Sequence, residues 1–177
     1  KLIAGHKRSN IYFANGIIIF CAEGLLFLVN AALIIVLGIP LFGLNIEYPS
    51  YFIIYLLAGI LILAAFASLF TMVSTLISNK TSSVATCLII YVILFIITNY
   101  LRIAVFSYYG DVTLDIISNK ITRIILEFLY DFLPTGQSLQ ISSGIILRPF
   151  NVILYSSLNI ILTTVWGLFV FKKKDIK

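Results

Sequence analysis

Residues that build catalytic, metal and disulfide sites are scarce in this chain, and so are charged residues. Only 11% of its 177 residues are charged, whereas 61% are hydrophobic. Soluble domains carry about 25% charged residues, so the composition excludes an ordinary water-soluble fold. His6 is the only histidine, which excludes a metal site with two histidine ligands. Cys21 and Cys87 lie inside apolar stretches, where the pattern favours small buried hydrophobic residues over a disulfide or metal site.

Motifs for nucleotide hydrolysis and proteolysis are also missing. No Gly-Lys pair occurs, so the chain lacks the phosphate-binding loop that ends in Gly-Lys-Ser/Thr and is not expected to hydrolyse ATP itself. Glu23 is the only acid within an apolar run. One acid does not supply the paired acids, or the Ser/His or metal set, of an intramembrane protease. We therefore predict a non-catalytic protein that binds no cofactor or metal of its own.

Four long apolar runs make up most of the chain, at residues 16–42, 51–77, 84–106 and 151–171. Each has about the 20 residues that an α-helix needs to cross a bilayer. The sequence therefore predicts an all-α integral membrane protein in which residues 1–177 form one transmembrane domain with four spans. The only methionine is Met72, so we expect the chain to be part of a longer protein.

Basic residues mark one side of the spans. Eight of the twelve lysine and arginine residues lie before the first run, between the second and third runs, or after the fourth run. They are Lys1, Lys7, Arg8, Lys80, Lys172, Lys173, Lys174 and Lys177. The net charge of +5 therefore indicates membrane orientation and not nucleic-acid binding. The positive-inside rule predicts a multi-pass protein of the cell membrane, with both termini and residues 78–83 in the cytoplasm and residues 43–50 and 107–150 outside.

The outer region, residues 107–150, contains a helical pattern. Isoleucine and phenylalanine recur at helical spacing on one face of residues 111–132, and Lys120, Arg123, Glu127 and Asp131 occupy the other. We predict an amphipathic helix in the outer interface, with its apolar face half buried and its ion pairs exposed. Residues 134–136, Pro-Thr-Gly, end it. Residues 138–147 are a second apolar stretch, too short to span, which is re-entrant only if protein shields its backbone.

Polar residues inside the spans are the candidates for a translocation path. Glu23 is interpreted as a substrate-path or proton-coupling residue, or as a carboxylate near the cytoplasmic helix end that reaches the interface or pairs with a neighbour. In the second span Ser68, Thr71 and Thr75 share one helical face with Ala64 and Ser78. Such a stripe favours close helix packing, and a polar path lining is the alternative.

The third span ends in Thr98, Asn99 and Arg102. Arg102 can extend to the outer interface without an ion pair, or Asn99 and Arg102, one turn apart, can line an outward cavity.

Three segments, in order along the chain, resemble one family of membrane proteins. They are KLIAGHKRSNIYFAN at 1–15, FLPTGQ at 132–137 and FKKKDIK at 171–177. The first resembles the cytoplasmic segment of type-2 ABC exporter permeases of Gram-positive bacteria, where a basic Gly-His-Ser-Arg-like turn and an Ile-Tyr pair precede the third membrane helix. The second resembles that family's outer-loop motif and the third its C-terminus. Lys7 stands where serine is commoner in the family.

The resemblance implies a six-span permease of which this chain holds the last four spans, with an interfacial helical region before the final one. Two permease subunits, identical or different, form the path in the lipid bilayer. Two separate ATPase subunits bind ATP and drive alternating access. Residues 1–15 then dock on an ATPase, and the coupling residues are Gly5, His6, Lys7, Arg8, Ile11 and Tyr12.

The residues also fit two other classes of function. One is a secondary transporter or channel that uses Glu23 as an ion-coupling residue. The other is a membrane anchor or assembly protein without transport. Lipid, peptide antibiotic and ion are all open as substrates of an exporter.

Overall fold

The structure, a computed structural model, describes residues 8–42, 49–109, 120–143 and 148–173. The described residues form six helices: α1 Arg8–Phe42, α2 Pro49–Leu76, α3 Lys80–Tyr109, α4 Lys120–Phe132, α5 Pro134–Ser142 and α6 Pro149–Lys173. Four of them, α1, α2, α3 and α6, are long and apolar enough to cross a membrane. The described residues therefore confirm the all-α class and four helices of membrane-spanning length and composition, while the crossing itself stays a prediction. The first span differs in its start, because α1 already begins at Arg8.

Helix α2 is central, since it contacts α1, α3, α5 and α6. Helix α1 runs antiparallel to α2, because Gly16 faces Thr71 near one end of the pair and Gly59 faces Phe27 nearer the other. A glycine at each contact lets a neighbouring side chain approach the helix backbone, as is common between membrane helices.

Helix α6 runs parallel to α2 and is its most extensive neighbour. Val152, near the start of α6, packs in one buried cluster with Ala58 and Ile62. Further along both helices Thr163 donates a hydrogen bond to Ser68, with the two Oγ atoms 2.7 Å apart. Apolar burial at one level and a hydroxyl bond at the next hold the two spans together.

The described chain begins and ends at the same end of the bundle. Tyr12, in the second turn of α1, packs against Phe171, near the end of α6, with ring centroids 6.2 Å apart. The turn between α2 and α3 lies at this end, because α1 and α2 are antiparallel, and α4 and α5 lie at the other end. This is the relative arrangement that the charge pattern predicts. The compartment that each end faces stays a prediction.

We expect the α4–α5 end of the bundle to be accessible to reagents added outside the cell. In a protein without Cys21 and Cys87, Ser143→Cys should be labelled by an impermeant thiol reagent on intact cells, because the positive-inside rule places that end outside. Ser78→Cys should react only after the cells are permeabilised. Both serines are exposed, so a difference in labelling reports the compartment. The opposite labelling pattern would contradict the predicted topology.

The amphipathic helix is confirmed as α4 over Lys120–Phe132, and residues 111–119 lie outside the described residues. The exposure of its charged face differs from the prediction. Glu127 and Asp131 are buried, whereas Ile121, Ile124 and Ile125 on the apolar face are about half exposed. The charged face therefore packs against the protein. An apolar outer face suits a hydrocarbon surrounding, where buried polar groups find partners only inside the protein.

Helix α5 follows α4 after a single residue. Leu133 is extended, with φ −70° and ψ 130°, and Pro134 opens α5 at a position where its missing N–H costs nothing. The first part of α5 is buried among α2, α3, α4 and α6. Helix α5 begins four residues before the apolar stretch that the sequence analysis identified at 138–147. Residues 144–147 of that stretch lie outside the described residues. We call the pair α4–α5 the helical hairpin.

Candidate functional site

The junction of the helical hairpin is held by side-chain amides. Because Pro134 follows so closely, the last carbonyl oxygens of α4 need donors from elsewhere. Gln137 Nε2 donates to the Asp131 carbonyl oxygen at 2.8 Å. Asn159 Nδ2, from α6, donates to the Phe132 carbonyl oxygen at 2.6 Å. The end of α4 is therefore completed by side chains of α5 and of the last span.

The same amides extend into a buried network, which we call the hairpin cluster: Asp131, Gln137, Gln140, Ser156 and Asn159. Ser156 Oγ donates to Gln137 Oε1 at 2.8 Å, and Gln140 Nε2 donates to Asp131 Oδ1 at 2.9 Å. The side chains of Gln137, Gln140 and Ser156 are completely buried. A buried polar network of this kind fixes one arrangement of its helices, since breaking any bond leaves a polar group without water.

Two carboxylates of α4, one turn apart, have opposite electrostatic surroundings. Burial raises the pKa of Asp131, and the hydrogen bonds from Gln140 and Asn151 offset this only partly. Burial also raises the pKa of Glu127, but the hydrogen bonds and positive charges of Arg123 and Arg148 outweigh it, so the pKa of Glu127 is lowered. Asp131 therefore holds a proton more tightly than an ordinary aspartate, whereas Glu127 is an ion-pair partner.

The ion pairs of Glu127 join the hairpin to the start of α6. Arg123 Nε lies 2.7 Å from Glu127 Oε1, and an Arg148 guanidinium nitrogen lies 2.6 Å from Oε2. The prediction that the charges of α4 form exposed ion pairs is wrong for Glu127, whose side chain is only 11% exposed. A partly shielded carboxylate with two arginines is held more firmly than a surface pair.

The third span contributes Thr98 to the hairpin. Its Oγ1 lies 2.6 Å from Thr135 Oγ1, and both threonines are buried. The neighbours predicted as a path lining behave differently: Asn99 donates to the carbonyl of Phe95 in its own helix at 2.8 Å, and Arg102 is exposed. The described structure thus places Thr98 at the contact between α3 and the hairpin.

The hydroxyl stripe of α2 lies at helix interfaces. Thr71 is 1% exposed, and its Oγ1 donates to the Ala67 carbonyl at 2.6 Å while facing Gly16 of α1. Thr75 is also buried, and its Oγ1 donates to the Met72 carbonyl at 2.9 Å. With Ser68 bonded to Thr163 of α6, the stripe serves helix packing, the interpretation that its spacing favours. A path lining stays a prediction.

The predicted coupling residues fall on both sides of the boundary of the described structure. Gly5, His6 and Lys7 lie outside the described residues, and Arg8 begins α1. Ile11 is partly buried. Their docking on an ATPase stays a prediction.

Tyr12, predicted as an anchor for a partner, is buried inside this chain. Its side chain is 2% exposed, and its hydroxyl lies 3.5 Å from the Thr163 carbonyl oxygen. A Cβ at Gly167 would come within 2.8 Å of the ring carbon Cζ, so the absence of a side chain there makes room for the ring. Tyr12 therefore joins α1 to α6, a contact across most of the chain that no local sequence pattern indicates.

Glu23 lies about four turns into α1. The helix starts earlier than the sequence suggests, so Glu23 is not in its first turns, and the depth of Glu23 in a membrane stays a prediction. Glu23 lines a cavity of about 480 Å³ bordered by α1, α2 and α3. Ser68 and Thr71 line a different cavity, of about 250 Å³, at the α1–α2–α6 interface.

The six residues predicted as a path thus occupy three places: the Glu23 cavity, the packing face of α2 with Ser68, Thr71 and Thr75, and the outer half of α3 with Asn99 and Arg102. The most extensively connected polar group of the described chain is instead the hairpin cluster. Three of its members, Gln140, Ser156 and Asn159, were not among the residues that sequence reasoning selected, and Gln137 was named only as the last residue of the FLPTGQ segment. The signal available for the two glutamines was a proline after an amphipathic helix, followed by glutamine three and six residues later.

In comparisons with known proteins, the chain matches no protein-family model, no curated protein and no solved structure.

Proposed function

We propose that this protein is the membrane-spanning permease subunit of an ATP-driven exporter in the cell membrane of a Gram-positive bacterium. It forms the translocation path with a second permease subunit, and a separate ATPase subunit supplies the energy. The observation that carries the proposal is the helical hairpin. The segment at 132–137, whose resemblance to the exporter permeases is described above, forms its buried junction.

The geometry of the hairpin supports a re-entrant element that enters from the outside. Gln137 bonds Ser156, and the Phe132 carbonyl bonds Asn159. These partners lie two to three turns into α6, which corresponds to a depth of about 10–15 Å. Non-helical backbone at such a depth is tolerated where protein surrounds it, and the amides of the hairpin cluster supply the missing donors.

The opposite end of the bundle supports docking of a cytoplasmic partner. Arg8 begins α1, Lys80 begins α3, and Lys172 and Lys173 end α6, all at the end where Tyr12 meets Phe171. A motion imposed on the start of α1 is passed directly to α6 through that aromatic contact. The proposal therefore assigns coupling to the basic segment that precedes the buried Tyr12, not to the tyrosine itself.

The coupling role predicts a loss of the ATPase without a loss of the fold. The triple variant His6→Ala, Lys7→Ala, Arg8→Ala should reduce the co-purified ATPase by roughly tenfold, because a docking surface loses its orienting charges. The amount of the variant permease in the membrane should be unchanged, since the three substituted residues precede the packed part of α1. The measurement is membrane abundance, co-purified ATPase and export in the same cells, with the full-length protein.

The matched control is Lys172→Ala with Lys173→Ala, which removes charge at the same end of the bundle but from another segment. It should leave the ATPase bound. If the triple variant keeps its ATPase and exports normally, the coupling assignment fails. If the unaltered protein purifies from its own membranes with no ATPase, the exporter proposal fails.

A secondary transporter or channel is the second candidate. It is favoured by Glu23, whose Oε2 is shielded and makes no hydrogen bond among the described residues. This candidate predicts transport in vesicles that contain the purified protein alone, driven by an ion gradient and abolished in Glu23→Gln. The exporter proposal predicts that such vesicles do not transport until the ATPase and ATP are added.

A further inference from the structure

The cavity at Glu23 is a lateral cleft between spans. Helices α1 and α3 both pack on α2, but among the described residues no Cα atom of α1 lies within 8 Å of a Cα atom of α3. The space between them is the cavity of about 480 Å³ that Glu23 lines, within the range of small-molecule sites. Since α1, α2 and α3 are each long and apolar enough to cross a membrane, a cleft between them would border the hydrocarbon layer of a bilayer.

The lining of the cleft combines aromatic rings with one acid. Phe66 stacks with Phe70 at 5.8 Å between ring centroids and meets Tyr91 at 6.1 Å. Phe27, from α1, completes the aromatic lining on the side of Glu23. Faces of aromatic rings attract cations, most strongly where water is excluded. The combination of several rings and a carboxylate is suited to an organic cation with an apolar body.

Glu23 has no countercharge in the described structure. Its Oε2 is shielded and makes no hydrogen bond, and the lining contains no Lys, Arg or His. The other polar side chain from α1, Asn30, already donates to the Leu26 carbonyl of its own helix at 2.9 Å. An unpaired carboxylate is destabilised inside a membrane when it is ionised, so a cation in the cleft would supply a partner that the described chain does not.

We propose that this cleft is a binding site for lipophilic organic cations, such as quaternary ammonium or phosphonium compounds, which enter it sideways from the bilayer. The cationic centre lies against Glu23 and the rings of Phe66 and Tyr91, and the apolar body contacts Leu26 and Leu63. Binding here is an equilibrium property of the chain and does not depend on the exporter proposal.

The test is binding of tetraphenylphosphonium to the full-length protein in nanodiscs, measured by equilibrium dialysis. Binding should be saturable, and tetraphenylborate, an anion of the same shape, should not bind saturably. Glu23→Gln should weaken tetraphenylphosphonium binding by roughly tenfold or more, because it removes the charge partner. Tyr91→Leu should weaken it by about threefold, because it keeps the apolar contact but removes a ring.

Leu25→Gln is the matched control. It places an amide at nearly the same depth of α1, but on a residue that does not line the cleft and is 63% exposed, and it should bind like the unaltered protein. Equal affinity of the unaltered protein and Glu23→Gln overturns the proposal, and so does saturable binding of tetraphenylborate. A cleft filled by a second copy of the chain would also overturn it. In that case Leu26→Cys would form an intermolecular disulfide and the cation would not bind.

Discussion

Replacing Gly136 by alanine should open the helical hairpin and lower the free energy of unfolding by about 3 kcal/mol. A Cβ at this position would overlap the carbonyl oxygen of Tyr130 and would come within 3.4 Å of a Thr98 methyl group. The Tyr130 oxygen belongs to the backbone of α4, so it cannot turn away as a flexible side chain would. Relief of the overlap requires α5 to move away from α4.

The measurement is the apparent midpoint of heat-induced unfolding, followed by loss of the monodisperse size-exclusion peak of the detergent-solubilised protein. A change of 3 kcal/mol corresponds to a decrease of about 6–12 °C for a chain of this length. Gly24→Ala is the control, because a Cβ at Gly24 would have no atom within 4 Å. It should be neutral or raise stability by up to about 1 kcal/mol. Equal midpoints for the two variants would mean that the junction is not tightly packed.

The parts of the fold that depend on local pattern could be predicted from the sequence. Hydropathy and length predict the four spans, since crossing a bilayer requires a continuous apolar helix. Helical periodicity predicts α4, and Pro134 predicts its end. The spacing of Ser68, Thr71 and Thr75 identifies a packing face of α2, because small and hydroxyl side chains are what close helix contacts in membranes need.

The orientation of α4 could not be derived from the sequence alone. The pattern identifies an apolar and a charged face but not which one meets the protein, because that depends on whether the other face meets water or hydrocarbon. A water-facing helix buries its isoleucines, whereas this helix exposes Ile121 and buries Glu127 and Asp131. The charges are stabilised by partners that are distant in sequence, such as Arg148 on the far side of α5.

The hairpin cluster escaped prediction for a related reason. Gln137 and Asn159 are polar residues of ordinary appearance, one in a predicted turn region and one in a span. They become important only when α4 ends beside both of them and leaves carbonyl oxygens without donors. Tyr12 was predicted as a coupling residue from the resemblance of its segment, and its contact with Gly167 could not be foreseen because Gly167 lies at the other end of the chain.

Gln137→Leu should be as destabilising as the glycine substitution, with an expected loss of about 2–5 kcal/mol in the free energy of unfolding. The leucine fills similar space but leaves two buried groups without partners, the Asp131 carbonyl oxygen and the Ser156 hydroxyl. Each such group costs about 1–3 kcal/mol. The exposed Ser142 of the same helix provides the control, since Ser142→Leu should change the unfolding midpoint little.

A double-mutant cycle with Ser156→Ala separates the hydrogen bond from general packing. Ser156→Ala alone leaves Gln137 Oε1 without its donor. In the double variant both groups of this hydrogen bond are removed, so the bond leaves no unpaired polar group behind. The double variant should therefore lose less stability than the sum of the single variants, by roughly 1 kcal/mol or more. Additive losses would show that Gln137 and Ser156 act independently, and the hydrogen bond between them would then not stabilise the contact of the hairpin with α6.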